Sequence, residues 1–307
     1  GGGGGFGMSD ILSPRTTKNA NFVAVSDVNI DDSRVLSEGY FGRVVFATYG
    51  DKQLAVKTID MSAVEQPVVK YLKREIRMLS TLTHHHLIPF YGIADGGSEV
   101  YLLTEYVASG DLAGVLDDHT IELDWPLRRT FCRQLASALA YLHSYEVIHR
   151  DIKSDNVLVD AARTNVRLAD FGLARNTVHD GYTTQTSGGP LRWLSPESLE
   201  HRRFSRGSDV YSLGIVLWEM AAGELPYQQL TAAQASLRVV TKRLRPARPA
   251  HCPEAYYALM QRCWAHDAAA RPSLDDVAAT VRRLLADVNR ADNDDDGDER
   301  HERRRRH

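Results

Sequence analysis

Apolar and polar residues alternate from Val35 to Asp60, and the alternation breaks at Gly39, Gly42, Gly50 and Asp51. A period of two interrupted by turn residues predicts strands joined by hairpins. After Pro67 the period changes. Val69, Leu72, Ile76, Leu79 and Leu82 recur at helical spacing and predict one amphipathic helix. Strands are predicted again at Ile88 to Ile93 and at Tyr101 to Glu105. Beyond Gly110 the pattern is helical: Phe131, Leu135, Leu139 and Leu142 mark one helix, and Asp209 to Met220 another that is apolar nearly all round, as a core helix is. A last helix is predicted from Ser273, where Asp276 three residues on gives a start like a capping box, to near Asp287. The chain thus reads as a β-rich first part with one helix, followed by a larger helical part.

Composition changes this picture little. With 307 residues, 43% hydrophobic and 25% charged, the chain has the make-up of a globular domain, single or two-lobed. A net charge of −3 gives no reason to expect a nucleic acid or an anionic membrane as partner. Cys132, Cys252 and Cys263 are odd in number and widely spaced, which argues against a disulfide framework and a zinc site and for a reducing, cytoplasmic setting. The longest apolar run, Val210 to Gly223, is too short to span a membrane and contains Glu219. Residues 1–27, rich in Gly, Ser, Thr and Asn, read as a flexible lead-in, and Gly1 to Gly7 ahead of Met8 suggest a piece of a longer chain. Residues 288–307, acidic from Asp292 to Glu299 and basic from Arg303 to Arg306, read as a disordered, solvated tail.

Three features carry candidate chemistry. In Ser37-Glu38-Gly39-Tyr40-Phe41-Gly42-Arg43-Val44, small residues sit where a strand-turn-strand could lay backbone N–H groups over phosphates. The run continues as a strand, which disfavours a dinucleotide-binding turn. Lys57 lies in the apolar strand Leu54 to Ile59, where a cation needs an anionic partner, and Glu75 falls on the inward face of the helix between Leu72, Ile76 and Leu79. Pairing solves both problems and leaves an ammonium to face phosphates. The third and most specific feature is His149-Arg150-Asp151-Ile152-Lys153-Ser154-Asp155-Asn156, followed after a predicted strand pair by Asp170-Phe171-Gly172.

These motifs, in this order and followed by Ser195-Pro196-Glu197, Asp209 and Arg271-Pro272, resemble those of protein kinase catalytic domains over about residues 33–287. Trp193, the run Asp209 to Gly214 and Arg262-Cys263-Trp264 resemble the tyrosine-kinase-like branch. The resemblance implies an α+β bilobal kinase fold. Its small β-rich N-lobe with one helix covers about 28–104, and its larger, mainly helical C-lobe about 108–287. It implies ATP and Mg²⁺ as cofactors. Asp151 would orient and deprotonate the substrate hydroxyl, with Lys153, Lys57 and Glu75 completing the catalytic set, and Asn156 and Asp170 would hold the metal. ATP would be bound by Ser37, Glu38, Gly39, Tyr40, Phe41, Gly42 and Val44 above, with Ala55 and Leu158 sandwiching adenine. Thr104 would be the gatekeeper, Glu105 and Val107 would offer backbone to adenine, and Asp111 would reach the ribose. His149 would be structural, in a spine with Phe171, Leu79 and Phe90, and His84-His85-His86 is read as a solvated loop.

Two residues depart from the family pattern, Ser37 for the first loop glycine and Ser195 for the alanine of Ala-Pro-Glu. Substrate indicators disagree: Lys153 matches the Ser/Thr pattern, Pro190 the Tyr pattern. The resemblance therefore implies protein Ser/Thr hydroxyls as substrates, with dual-specificity or Tyr transfer as the alternative and a pseudokinase scaffold as the rival class. Activation is expected from an upstream kinase, or from the enzyme itself in trans, acting on Thr177, Tyr182, Thr183, Thr184, Thr186 or Ser187, with the phosphate docking on Arg150 and Arg175.

Overall fold

The computed structural model describes residues 20–39, 42–61, 66–171, 175–176 and 191–284. The β-rich part forms as the period-two pattern requires. Strands β1 (Phe22–Val23), β2 (Val28–Gly39), β3 (Gly42–Tyr49) and β4 (Lys52–Asp60) precede helix α1 (Gln66–Thr81), and β5 (Phe90–Asp95) and β6 (Glu99–Glu105) follow it. Together they make one six-stranded sheet in the order β1-β5-β6-β4-β3-β2. The β1 strand lies inside the segment read as a lead-in, yet it pairs in parallel with β5, Phe22 opposite Ile93. Its two residues are too short a run to show any periodicity.

Alternation along β4 decides which face does what. Leu54 and Val56 are fully buried in a small cluster with Val28, Val45, Ala47, Ala94 and Leu103. The opposite face carries Ala55, Lys57 and Ile59, and Ile59 joins the main core with Val69, Leu72 and Ile76 of α1. Lys57 is therefore aimed at α1 by the pleat of its strand.

After the sheet come α2 (Leu112–Asp117), α3 (Trp125–Ser144), β7 (Val147–Ile148), β8 (Val157–Val159), β9 (Val166–Leu168) and β10 (Arg175–Asn176). Then follow α4 (Pro196–His201), α5 (Arg206–Ala222), α6 (Ala232–Thr241), α7 (Glu254–Cys263) and α8 (274–284). Helix α5, apolar all round as predicted, is buried without a break from Ser208 to Met220. Ser205 starts it with a capping box and Gly223 in the left-handed region ends it. It packs on α7 through Gly214, where a Cβ would lie only 2.8 Å from that of Cys263. The predicted start of α8 is present: Asp276 N–H donates to Ser273 Oγ at 3.1 Å, and Ser273 Oγ–H donates to the Asp276 carboxylate at 2.7 Å. The expected end of this helix near Asp287 lies outside the described residues.

Helices α2, α4, α6 and α7 were not predicted. The first two have six residues each, too few for a 3.6-residue period to appear, and the longer α6 buries only Ala235 and Val239.

Candidate functional site

A cleft of about 400 Å³ opens between the sheet and the helical part. Its roof is the β2–β3 hairpin, from which Ser37, Gly42 and Val44 line it. Gly42 has φ +134°, and a Cβ there would meet the Thr58 carbonyl oxygen at 2.1 Å, so only glycine lets this hairpin close over β4. Glu38 was expected among the ligand-binding residues, but it pairs opposite Arg43 in the hairpin and is not part of the cleft lining. Gly39 closes the turn opposite Gly42, and Tyr40 and Phe41 lie outside the described residues.

The back wall is the Lys57–Glu75 pair. Lys57 Nζ donates to both oxygens of Glu75, at 2.8 and 2.9 Å. Burial alone would lower the ammonium's pKa, but the carboxylates of Glu75 and Asp170 outweigh it and hold Lys57 above the ordinary lysine value. That influence places Asp170 in the same electrostatic unit. Asp170 itself is exposed, lines the cleft and takes a left-handed backbone, φ 60°. Such a conformation persists in a non-glycine residue only where the surroundings enforce it.

The hinge from β6 to α2 forms the inner edge. Thr104 Oγ1 donates to the Ala55 carbonyl at 3.1 Å. The Glu105 N–H donates to Pro89 O at 3.0 Å and the Tyr106 N–H to Gln53 O at 3.2 Å. The Val107 N–H, by contrast, has no hydrogen-bond partner among the described residues. Ala55, Leu158 and Asp111 also line the cleft. The Asp111 carboxylate also accepts from Gly114 N–H at 2.8 Å and so caps α2, a second use that its sequence did not disclose. Glu105 pairs with Arg167 at 2.6 Å, another contact that fixes the hinge against β9.

The floor is the loop between β7 and β8. Asn156 Nδ2 donates to the Asp151 carbonyl at 2.7 Å and to Asp151 Oδ2 at 2.9 Å. This commits the amide's two N–H groups and leaves its Oδ1 as an acceptor beside the cleft. Asp151 Oδ1 is buried and accepts no hydrogen bond from the described residues. Burial, reinforced by the nearby Asp170 charge, raises the Asp151 carboxyl above the ordinary aspartate value against the opposing pull of Lys153 and His149. Asp151 and Lys153 do not line the cleft itself, which reaches this loop through Asp155 and Asn156.

What holds this loop was only partly foreseen. Asp209 heads α5 and is 1% exposed. Its carboxylate accepts from the backbone N–H of His149 at 2.9 Å and of Arg150 at 3.0 Å, and bonds His143 Nε2 at 2.8 Å. Arg150 is thereby held at φ 71°, and its guanidinium carbon lies 3.9 Å from the Phe204 ring centroid, an aromatic platform with no sequence signal. His149 is fully buried, its ring 5.5 Å from that of Phe171 and its Nε2 3.1 Å from Ala169 O, while Leu79 and Phe90 belong to the same core. The expected pair of Arg271 with Glu197 is bidentate, at 2.6 and 2.8 Å. His84 stacks on Tyr141 and bonds Ser137 Oγ at 3.2 Å. The proposed phosphorylation sites and Pro190 lie outside the described residues, as does the side chain of Arg175.

Chemically, the cleft offers a half-buried cation fixed by a carboxylate, a second carboxylate, an amide oxygen, and a hinge N–H without a partner among the described residues that can meet a heteroaromatic acceptor. Comparison with known proteins agrees with that inventory. The family model described as protein tyrosine and serine/threonine kinase matches residues 30–281. The chain is 35% identical over 254 residues to the probable serine/threonine-protein kinase drkD of Dictyostelium discoideum, covering 82% of this chain and 19% of that protein. It is 30% identical over 250 residues to the serine/threonine-protein kinase STY17 of Arabidopsis thaliana (81% of this chain, 44% of that protein) and 29% identical over 253 residues to STY46 of the same plant (82% and 44%). It thus spans less than half the length of these relatives.

Proposed function

The chain belongs to the protein tyrosine and serine/threonine kinase family, and from that premise we propose that it transfers the γ-phosphoryl group of ATP to Ser and Thr hydroxyls of proteins. The observation that carries the reading is the convergence of Lys57, Glu75 and Asp170 on one cleft whose floor is the Asn156–Asp151 pair.

Adenine fits between Ala55 and Leu158, with its acceptor nitrogen on the Val107 N–H and Thr104 behind it. Lys57, held by Glu75, meets the phosphates. The donor set fits Mg²⁺: a carboxylate on Asp170 and an uncommitted amide oxygen on Asn156 are hard oxygen ligands, and phosphate oxygens complete the shell. When bound, the metal neutralises charge that builds on the phosphates in a loose transition state. Asp151 is suited to the incoming hydroxyl, because its buried Oδ1 lacks a donor among the described residues and a substrate O–H supplies one. Lys153, half-buried two residues on, favours the ionised form of Asp151 against burial and lies near the group in transfer. A pseudokinase scaffold would have no use for this complete set.

Lys153 also supports Ser/Thr over Tyr transfer, against the indication of Pro190. We place the catalytic domain at about residues 28–287 and the enzyme inside the cell, consistent with three cysteines that are all free thiols. Activation by an upstream kinase or in trans belongs to the same proposal. The test is transfer from γ-labelled ATP with Mg²⁺ to a peptide library, followed by phosphoamino-acid analysis. Label on Ser and Thr is expected; label on Tyr alone overturns the assignment.

A further inference from the structure

The strand that becomes the roof of the cleft is poorly paired just before it gets there. Along β2, Asp31 stands opposite Phe46 of β3, Val35 opposite Val45 and Ser37 opposite Val44, with an irregularity of register on each side of Val35. Residues 32–34 and Leu36 have no counterpart on β3, so the ladder is interrupted along this stretch. Leu36 and Ser37 both line the cleft. Backbone pairing alone therefore leaves their height above the hinge loosely set.

Arg34, inside the longer bulge, crosses from the roof to the hinge. Its Nη2 donates to Tyr106 Oη at 2.6 Å. Its guanidinium carbon lies 4.0 Å from the Phe46 ring centroid and 5.0 Å from that of Tyr106, and the two rings meet edge to face, 4.9 Å apart at 86°. A planar guanidinium gains from lying over aromatic faces while its fork still donates to a phenol. Phe46 stands opposite Ala55 of β4 and so shares the sheet face of that cleft residue. Tyr106 lines the cleft itself, and its N–H is bonded to Gln53 O at 3.2 Å. At the start of the same bulge Asp32 pairs with Arg43 of β3, which holds the displaced backbone from its other side. Three side chains thus join β2, β3 and the hinge.

We propose that Arg34 is a positioning residue for the nucleotide: by clasping Tyr106 and Phe46 it fixes the roof at Leu36 and Ser37 to the hinge and keeps the adenine slot preformed. This inference rests on the protein-kinase reading above and adds to it a residue outside every motif that carries the resemblance. Arg34 does not line the cleft, so it acts through Tyr106 and the roof rather than on ATP. A preformed slot spares the nucleotide the ordering of the roof, a gain that appears in affinity and is the same before and during transfer. The clasp is exposed to solvent, so its effect is a few-fold one.

The experiment compares ATP KM, peptide KM and kcat for wild type, Arg34→Ala, Tyr106→Phe and the double variant. Arg34→Ala removes the donor and the cation together and should raise ATP KM about fivefold. Tyr106→Phe keeps the ring and loses only the hydroxyl, and should raise it about twofold. The double variant should match Arg34→Ala, because both substitutions open one clasp. Peptide KM and kcat should stay at the wild-type values throughout, a split that a general loss of folding would not produce. An ATP KM unchanged in Arg34→Ala overturns the inference alone, as does an equal rise in peptide KM. A double variant whose effect is the product of the two single effects overturns it as well, since Arg34 would then act on ATP independently of Tyr106. A wild type that transfers no phosphate to any peptide overturns the kinase reading and this inference with it.

Discussion

Asp151 and Asp209 are both buried acids, and they are used in opposite ways. Asp209 fills its oxygens with backbone N–H groups and a histidine, so its charge is consumed in holding a loop. Asp151 keeps Oδ1 without a donor among the described residues, and its carboxyl titrates above the ordinary aspartate value of 3.8 because burial disfavours the anion. The sign follows from the role. A base must be ionised to accept a proton, and a raised pKa keeps it protonated to higher pH. The acid limb of kcat/KM should therefore have its midpoint above 3.8, with activity lost as pH falls through it. A pH profile of peptide phosphorylation checks this; a limb at or below that value would contradict the burial argument. The site is readable in the sequence where a charged residue stands against its surroundings: Lys57 in an apolar strand and Glu75 on an apolar helix face each demand a partner. Glu219 also stands in an apolar run, but its partners are a serine and a tryptophan distant in sequence, so nothing in the pattern announces them.

At the scale of elements, periodicity shows where each side chain faces. The pleat of β4 turns Lys57 toward α1, and the near-continuous apolar surface of α5 puts it in the core, both legible from spacing alone. The central helix then works through its polar exceptions. Asp209 at its head holds the catalytic loop, and Ser212 and Glu219 hold Trp193. Those roles depend on groups 19 to 60 residues away in sequence, which no local pattern encodes. Asp209→Ala would leave two buried N–H groups without acceptors, and it should cost about 2–4 kcal/mol of stability. Thermal unfolding measures the loss; a melting temperature within about 2 °C of wild type would show that the loop does not depend on this anchor.

At the scale of the molecule, the sheet and the helical part each carry half of the chemistry, and the cleft exists because they meet. The sheet supplies Lys57, with Glu75 from its accompanying helix, and the hinge. The loops on the helical part supply Asp151, Asn156 and Asp170. Order along the chain makes this division legible, since the cation-bearing strand comes before the hinge and the acidic loops after it. The short helices α2 and α4 and the parallel strand β1 escape sequence reading because each is too short to show a period, β1 being held by its pairing with β5. The central claim is that charge from both parts acts on one phosphoryl group. Its most direct test is the rate of label transfer from γ-labelled ATP to a Ser/Thr peptide by wild type, Lys57→Met and Asp170→Asn, each first shown folded by circular dichroism. Each single substitution should lower the rate by about 10² or more. Folded variants within about tenfold of wild type would contradict the account.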